Sequence, residues 1–134
     1  MKTKTTLILL CIVSLLSLQT RAQELSLTEN NAVLSFVAEE LNYGDIDQNS
    51  NGTRIFKFVN SGNAPLVITE VKTSCGCTVP SYSKEPILPG QLGQIEVAYN
   101  TKKVGAFKKT ITVVSNAKEG HKILTIKGNV QAVN

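Results

Sequence analysis

Residues 53–66, with the sequence TRIFKFVNSGNAPL, contain the pattern that decides the fold. In this pattern a run of alternating apolar and polar residues is followed directly by a turn. Phe56 and Phe58 are two positions apart and therefore share one face of an extended strand. The following stretch 60–65 is rich in Asn, Gly and Pro, whose backbone preferences favour turns. A half-apolar strand that ends in such a turn is typical of antiparallel β-proteins.

The same combination recurs through the rest of the chain at the spacing of about 8 to 12 residues that is typical of an all-β sandwich. No helical periodicity of useful length occurs after Ala22. Further breaker sequences separate the apolar runs, at 49–52, 89–90 and 116–120. The sequence therefore predicts an antiparallel β-sandwich of about seven strands, within the segments 32–37, 41–46, 53–60, 66–73, 93–100, 107–115 and 121–130.

The chain begins with the three-part pattern of a secretory signal peptide. Lys2 and Lys4 precede an apolar run over residues 7–18, and the small residue Ala22 follows a short polar stretch. The apolar run is too short to span a bilayer, which requires about 20 residues. We expect residues 1–22 to be cleaved and the protein to be exported to the periplasm or the extracellular space.

Loss of the signal peptide changes the size and the charge of the chain. It leaves 112 of the 134 residues, which we divide into a flexible N-terminal segment, 23–31, and a single domain, 32–134. The 14 basic residues fall to 11 against 10 acidic ones. This near-neutral balance gives no electrostatic reason to expect nucleic acid as a partner, and no transmembrane span follows the signal.

Cys75 and Cys77 are the only cysteines that remain after cleavage, because Cys11 lies in the signal peptide. Two neighbouring thiols in an oxidising compartment seldom stay free. A Cys75–Cys77 disulfide requires a bend, because residues two apart in a strand are separated by ~6.6 Å. We expect Gly76 to provide the bend through a positive φ. A closed loop of about three residues contributes only ~1.6 kcal/mol, so the bond would stabilise the fold little.

The sequence leaves other states of this pair open. Strained disulfides are the more readily reduced ones, which makes Cys75 and Cys77 a candidate redox pair. Two soft sulfurs also suit Cu(I) better than zinc, so the same residues are the alternative metal ligands. His121 is expected to face solvent and to add no ligand. The remaining interpretation is packing as small apolar residues or a link between two chains.

No catalytic or cofactor-binding arrangement is recognisable elsewhere in the sequence. His121 is the only histidine, and nothing in the sequence places it near the cysteines as a base. The glycines lie singly in turns rather than in a phosphate-binding loop. The lysines at 102–103 and 108–109 are interpreted as edge-strand lysines that oppose sheet aggregation. We therefore expect no enzymatic activity and no resident cofactor.

Several of these stretches together resemble a known family. They include 56–66 (FKFVNSGNAPL), 74–78 (SCGCT), 87–90 (ILPG) and 126–130 (IKGNV), with 99–101, 105–107 and 115–116 between them. In this order they resemble the bacterial domain-of-unknown-function family 1573, exported immunoglobulin-like domains related in shape to Hydin-type (ASH) sandwiches. The resemblance covers about residues 33–131, and the Ser-Cys-Gly-Cys-Thr motif is its most specific part. It implies an immunoglobulin-like fold and an exported location, and it supplies no catalytic residue.

The expected function is that of an exported, non-catalytic protein-binding or structural component of the cell envelope. A small antiparallel sandwich offers loops and open sheet edges to a protein partner more readily than a deep pocket. The alternative is a redox-active or Cu(I)-binding protein that uses Cys75 and Cys77. Neither the partner nor the oligomeric state can be identified from the sequence.

Overall fold

The computed structural model describes Glu29 and residues 31–134. The predicted signal peptide, 1–22, and most of the predicted flexible segment, 23–31, lie outside the described residues. Within them the chain forms eight strands: β1 (Leu34–Phe36), β2 (Glu40–Asp47), β3 (Thr53–Asn60), β4 (Ile68–Thr73), β5 (Thr78–Tyr82), β6 (Leu92–Tyr99), β7 (Gly105–Ser115) and β8 (His121–Gln131).

The strands form two four-stranded sheets. The first has the order β1-β3-β6-β5 and the second the order β2-β8-β7-β4. All neighbouring strands are antiparallel except β2, which runs parallel to β8. This is the order of an immunoglobulin constant-type sandwich whose first strand is split between the two sheets. The predicted all-β, immunoglobulin-like sandwich is confirmed.

The core lies between the sheets and is built from alternate residues of the strands. Phe56 and Phe58, the pair that defined the pattern of β3, are each 1% exposed. Burial of a large aliphatic or aromatic side chain contributes about 1.5–3 kcal/mol, so these residues hold the sheets together. The other fully buried apolar side chains are Leu66, Ile68, Ile95, Val97, Ile111, Val113, Leu124, Ile126 and Val130.

The sequence pattern missed β5, so the structure has eight strands where about seven were predicted. This strand contains Pro80, which cannot donate a ladder hydrogen bond. Asn100 N–H donates to the Cys77 carbonyl at 2.8 Å, and the alternation of an antiparallel ladder then directs Val79 and Ser81 to β6. The nitrogen of Pro80 faces the open side. A proline is tolerated at this position because β5 is an edge strand.

The interpretation of residues 108–109 as edge lysines is wrong. Both lie on β7, which is in the middle of its sheet between β8 and β4. Lys108 is exposed on the outer face, whereas Lys109 is half-buried and alternates with the buried Phe107 and Ile111 on the inner face. Alternation along one strand predicts the faces of that strand but not its position in the sheet.

The turn after β3 is held by a buried asparagine. Asn60 is 0% exposed, and its Oδ1 accepts the N–H groups of Val33 at 3.3 Å and Gly62 at 3.1 Å. Its Nδ2 donates to the carbonyls of Ala64 at 2.8 Å and Ile87 at 2.9 Å. These four bonds use the whole hydrogen-bonding capacity of the amide. Asn60 therefore connects the start of β1, its own turn and the segment before β6.

Candidate functional site

The cysteine pair lies in the connection where the chain crosses from the second sheet to the first. β4 ends at Thr73 in one sheet, and β5 begins at Thr78 in the other. Cys75 and Cys77 form a disulfide in this connection, with Cα atoms 5.4 Å apart. This distance is normal for a disulfide and is shorter than in an extended strand, so the predicted bend is present.

Gly76 contributes to the bend differently from the prediction. Among the described glycines, a positive φ occurs at Gly44, Gly90, Gly105 and Gly120, and not at Gly76. A Cβ atom added to Gly76 would meet nothing within 4 Å. The expectation of a positive φ at this position is therefore wrong, and the bend uses a backbone conformation that other residues can adopt.

Hydrogen bonds hold this connection independently of the disulfide. The Thr73 hydroxyl lies 3.0 Å from the Cys75 carbonyl and 3.3 Å from the Thr78 carbonyl, so it can donate to either. The Thr78 N–H donates to the Cys75 carbonyl at 3.4 Å. Asn100 N–H donates to the Cys77 carbonyl from the neighbouring loop. The path of the chain between the sheets is therefore fixed by its backbone as well as by the two sulfurs.

The two sulfur atoms have different surroundings. Cys77 is 8% exposed and belongs to the core, whereas Cys75 is only partly buried. The Cys77 N–H donates to the Sγ of Cys75 at 3.2 Å. The Sγ of Cys77 lies 3.9 Å from the hydroxyl oxygen of the buried Thr78. Each sulfur thus has a polar neighbour that can donate to it, and Cys75 is the one that solvent reaches more easily.

The register between β4 and β7, continued beyond the end of β4, leads to a lysine of β7. Thr73 of β4 is opposite Ile111, and the Ser74 N–H donates to the Thr110 carbonyl at 3.0 Å. Continuation of this register by one residue places Cys75 next to Lys109. The ion pairs between described residues do not include Lys109. Lys109 itself is half-buried on the inner face of β7.

Three aromatic rings close the core where β6 ends and β7 begins. Tyr99 stacks on Phe107 with ring centroids 3.8 Å apart, and Tyr43 approaches Phe107 edge-on at 5.2 Å. The Tyr43 hydroxyl donates to the Gly52 carbonyl at 2.8 Å, and the guanidinium carbon of Arg54 lies 4.2 Å from the ring centre. Burial raises the pKa of Tyr43 to about 12, although the charge of Arg54 acts in the opposite direction. The hydroxyl therefore stays neutral at physiological pH.

The structure separates His121 from the cysteine pair. It is exposed, as predicted, and it pairs with Val114 near the C-terminal end of β7. The described residues contain no group of three or more His, Cys, Asp or Glu side chains that could hold a metal ion. The sulfurs of Cys75 and Cys77 are joined to each other, whereas a metal binds the thiolate form of cysteine.

A cavity of about 390 Å³ lies beside the connection between β5 and β6, away from the cysteines. Its wall combines the apolar side chains of Phe58 and Leu92 with Tyr82 and the exposed carboxylates of Glu85 and Glu96. No cysteine or histidine lines it, and its two serines, 81 and 83, are exposed. It therefore offers no activated nucleophile.

Each sheet has two edge strands, and three of the four edges are poorly suited to pair with a further strand. β1 has only three residues. β5 directs the nitrogen of Pro80, which carries no hydrogen, to its open side. β2 is interrupted between Asn42 and Asp45, with Gly44 at a positive φ, and its acidic side chains are exposed. Short strands, proline, bulges and charges are the usual means by which proteins protect sheet edges.

The edge of β4 is the most open of the four. Ser74 bonds to β7, and the alternation of the ladder directs Lys72 to β7 as well. The N–H and C=O groups of Val71 and Thr73 therefore point to the other side, where no strand among the described residues pairs with them. A bulge between Ile68 and Glu70 precedes this stretch, which is regular from Glu70 to its end.

A family model described as "Protein of unknown function (DUF1573)" matches residues 34–130. No curated protein matches the chain. Within the part of the chain that the structure describes, no helix is long and apolar enough to cross a membrane.

Several solved structures have a similar fold. A protein of unknown function from Porphyromonas gingivalis W83 superposes with a TM-score of 0.67 and 17% identity over 78% of this chain. This chain spans only 50% of the length of that protein. The ASH/PapD-like domain 7 of human CEP192 gives a TM-score of 0.65 at 5% identity, over 78% of this chain and 89% of the domain. The YadV chaperone gives 0.52 at 12% identity, over 75% and 52%. Such low identities establish the fold alone.

Proposed function

Because the chain belongs to the DUF1573 family, whose description assigns no activity, we propose a function from the surface of the domain itself. The domain is a non-catalytic protein-binding module that pairs an extended segment of a partner protein along the open edge of β4. The observation that carries this proposal is the set of backbone groups of Val71 and Thr73 that point away from β7.

Addition of a strand to a sheet edge is a common mode of peptide recognition. The backbone hydrogen bonds supply affinity, and the alternate side chains of the added strand supply specificity. On β4 the exposed side chains beside the edge are polar: Glu70 and Lys72, which form an ion pair at 3.6 Å. Such an exposed pair contributes about 0–1 kcal/mol, so charges of a partner can replace it at little cost.

The location of the protein is part of the proposal. The signal-peptide pattern of residues 1–22 supports export. The disulfide of Cys75 and Cys77 supports an oxidising compartment, the periplasm or the cell exterior. The likeness to the YadV chaperone and to the PapD-like domain of CEP192 is consistent with a protein-contacting role for this sandwich. We propose on these grounds a binding or structural component of the cell envelope.

Photo-crosslinking in cells that make the protein tests this function. A crosslinking amino acid replaces Lys72 beside the β4 edge, and in a matched control it replaces Val79, which is 61% exposed on the proline-containing edge β5. We expect a discrete adduct with one partner protein at position 72 and none at position 79.

A second substitution links the adduct to the edge itself. Val71→Pro removes an N–H that points outward and leaves the hydrogen bonds to β7 in place, so the fold should be retained. The adduct at position 72 should disappear in this variant. Equal adducts at both positions, or an adduct that persists in a folded Val71→Pro variant, would contradict pairing along β4.

A further inference from the structure

The disulfide is a minor contributor to the fold. It encloses only three residues, and a ring of this size removes little entropy from the unfolded chain. The hydrogen bonds from Thr73, Thr78 and Asn100 fix the same connection without it. Opening the bond therefore leaves the two sheets joined. A disulfide that stabilises the fold would be expected to close a longer loop, because stabilisation increases with the length of the loop that is closed.

The two sulfurs are arranged so that one can be attacked and the other can leave. Attack by an external thiolate requires access, and Cys75 is the more exposed of the pair. The leaving sulfur becomes a thiolate, and the buried hydroxyl of Thr78 lies 3.9 Å from Cys77 Sγ to stabilise it. The N–H of Cys77 is already bonded to Cys75 Sγ and can stabilise the thiolate that is released there at the end.

A positive charge lies on β7 where the register of β4 points toward this site. The last pair of that register is Thr73 with Ile111, its continuation to Cys75 leads to Lys109, and Lys109 is half-buried on the inner face. A neighbouring lysine favours the thiolate form of a cysteine and attracts an incoming thiolate. Lys108, its neighbour in sequence, is exposed on the opposite face of the same strand and cannot act in this way.

From these observations we propose that Cys75–Cys77 is a thiol–disulfide exchange site that oxidises a protein dithiol, with Lys109 as a positioning residue. A thiolate of the dithiol attacks Cys75 Sγ, a mixed disulfide forms, and the Cys75–Cys77 bond breaks with its electron pair on Cys77. The second thiolate of the dithiol then attacks the dithiol sulfur that is bound to Cys75, and Cys75 leaves as a thiolate. Two electrons and two protons pass to the cysteines, and the dithiol becomes a disulfide.

Equilibration with glutathione tests the exchange. The protein recovered from the cells that make it is incubated with excess reduced glutathione at neutral pH, quenched by alkylation and analysed by mass spectrometry. We expect rapid and complete reduction with an unchanged circular dichroism spectrum, whereas structural disulfides of secreted proteins resist the glutathione pool. A disulfide that stays oxidised, or that is reduced only as the protein unfolds, would overturn the proposal. Neither result depends on binding at β4.

Single variants compare the access of a glutathione-sized partner to each cysteine, and attack at Cys75 requires this access to be greater there. Cys77→Ser leaves Cys75 as the only thiol near the turn, and Cys75→Ser leaves Cys77. With glutathione disulfide as the probe, the Cys75 thiol should form its mixed disulfide at least about tenfold faster than the Cys77 thiol. Equal rates, or a faster reaction at Cys77, would contradict the assigned direction of attack.

A charge variant tests the lysine. Lys109→Met should slow reduction of the disulfide by dithiothreitol about fivefold at low salt. The matched control Lys108→Met should stay within about twofold of the unmodified protein. A difference that shrinks as salt is added identifies the cause as charge rather than packing. Equal rates for the two variants would refute the role of Lys109.

Discussion

Replacement of Asn60 by alanine should destabilise the domain strongly. The side chain is wholly buried and makes four hydrogen bonds. The N–H of Gly62 and the carbonyl of Ala64 would lose the partner that the amide provides. The carbonyl of Ile87 would keep a bond from Leu66 N–H at 2.8 Å.

The cost follows from these two orphaned groups. A buried polar group without a partner costs about 1–3 kcal/mol, and Gly62 and Ala64 are half-buried, whereas Val33 is 38% exposed. We therefore expect Asn60→Ala to lower the free energy of unfolding by about 3 kcal/mol. In a domain of this size that loss corresponds to a fall in Tm of roughly 12 °C.

Urea and thermal denaturation followed by circular dichroism measure this loss. The matched control is Asn63→Ala, which removes an exposed asparagine of the same turn that accepts the N–H of Asn31 at 2.8 Å. We expect the control to cost less than about 1 kcal/mol. If the two variants lost equal stability, the amide of Asn60 would not be the element that holds the turn, and the reasoning would be refuted.

Three further predictions test other parts of the structure by the same denaturation measurements. Replacement of both Cys75 and Cys77 by serine should cost no more than about 2 kcal/mol, because the closed loop is so short; a larger loss would make the disulfide a structural staple. Gly76→Ala should leave stability unchanged or raise it by up to about 1 kcal/mol, whereas Gly52→Ala should cost at least about 2 kcal/mol, because its Cβ would lie 2.1 Å from a backbone oxygen. Equal effects of the two alanines would contradict this geometry. Burial raises the pKa of Tyr43 to about 12, above the ordinary value of 10.0, so the unfolded state loses its proton first and stability should fall between pH 10 and 12. This fall should be smaller in Tyr43→Phe, and identical pH profiles would show that the pKa of Tyr43 is not raised.

Local alternation predicted the faces of the strands well. Phe56 and Phe58, which it placed on one side of β3, are buried together. It missed β5, because Pro80 is compatible with a strand only at an edge, and edges are set by the assembled sheet. It identified residues 60–65 as a turn, but the burial of Asn60 depends on segments that are distant in sequence.

The candidate site was found from the sequence only in part. Two cysteines separated by one residue made a Cys75–Cys77 disulfide one of several predicted states, and the structure contains it. The link between Lys109 and Cys75 could not be predicted, because they are 34 positions apart in the sequence and only the continued register of β4 against β7 relates them. The open edge of β4 depends likewise on the order of all eight strands. Only the turns and the alternation of apolar residues can be predicted from residues that are neighbours in the sequence.

Amide hydrogen exchange at β4 tests the central claim, that this edge binds a protein. In the free domain the outward N–H groups of Val71 and Thr73 should exchange rapidly, and the N–H of Lys72, which faces β7, slowly. Addition of the partner captured by the crosslink at position 72 should slow exchange at Val71 and Thr73 at least about tenfold and leave Tyr82 on β5 unchanged. Protection that appears on β5 instead, or a bound complex in which Val71 and Thr73 exchange as in the free domain, would contradict the account.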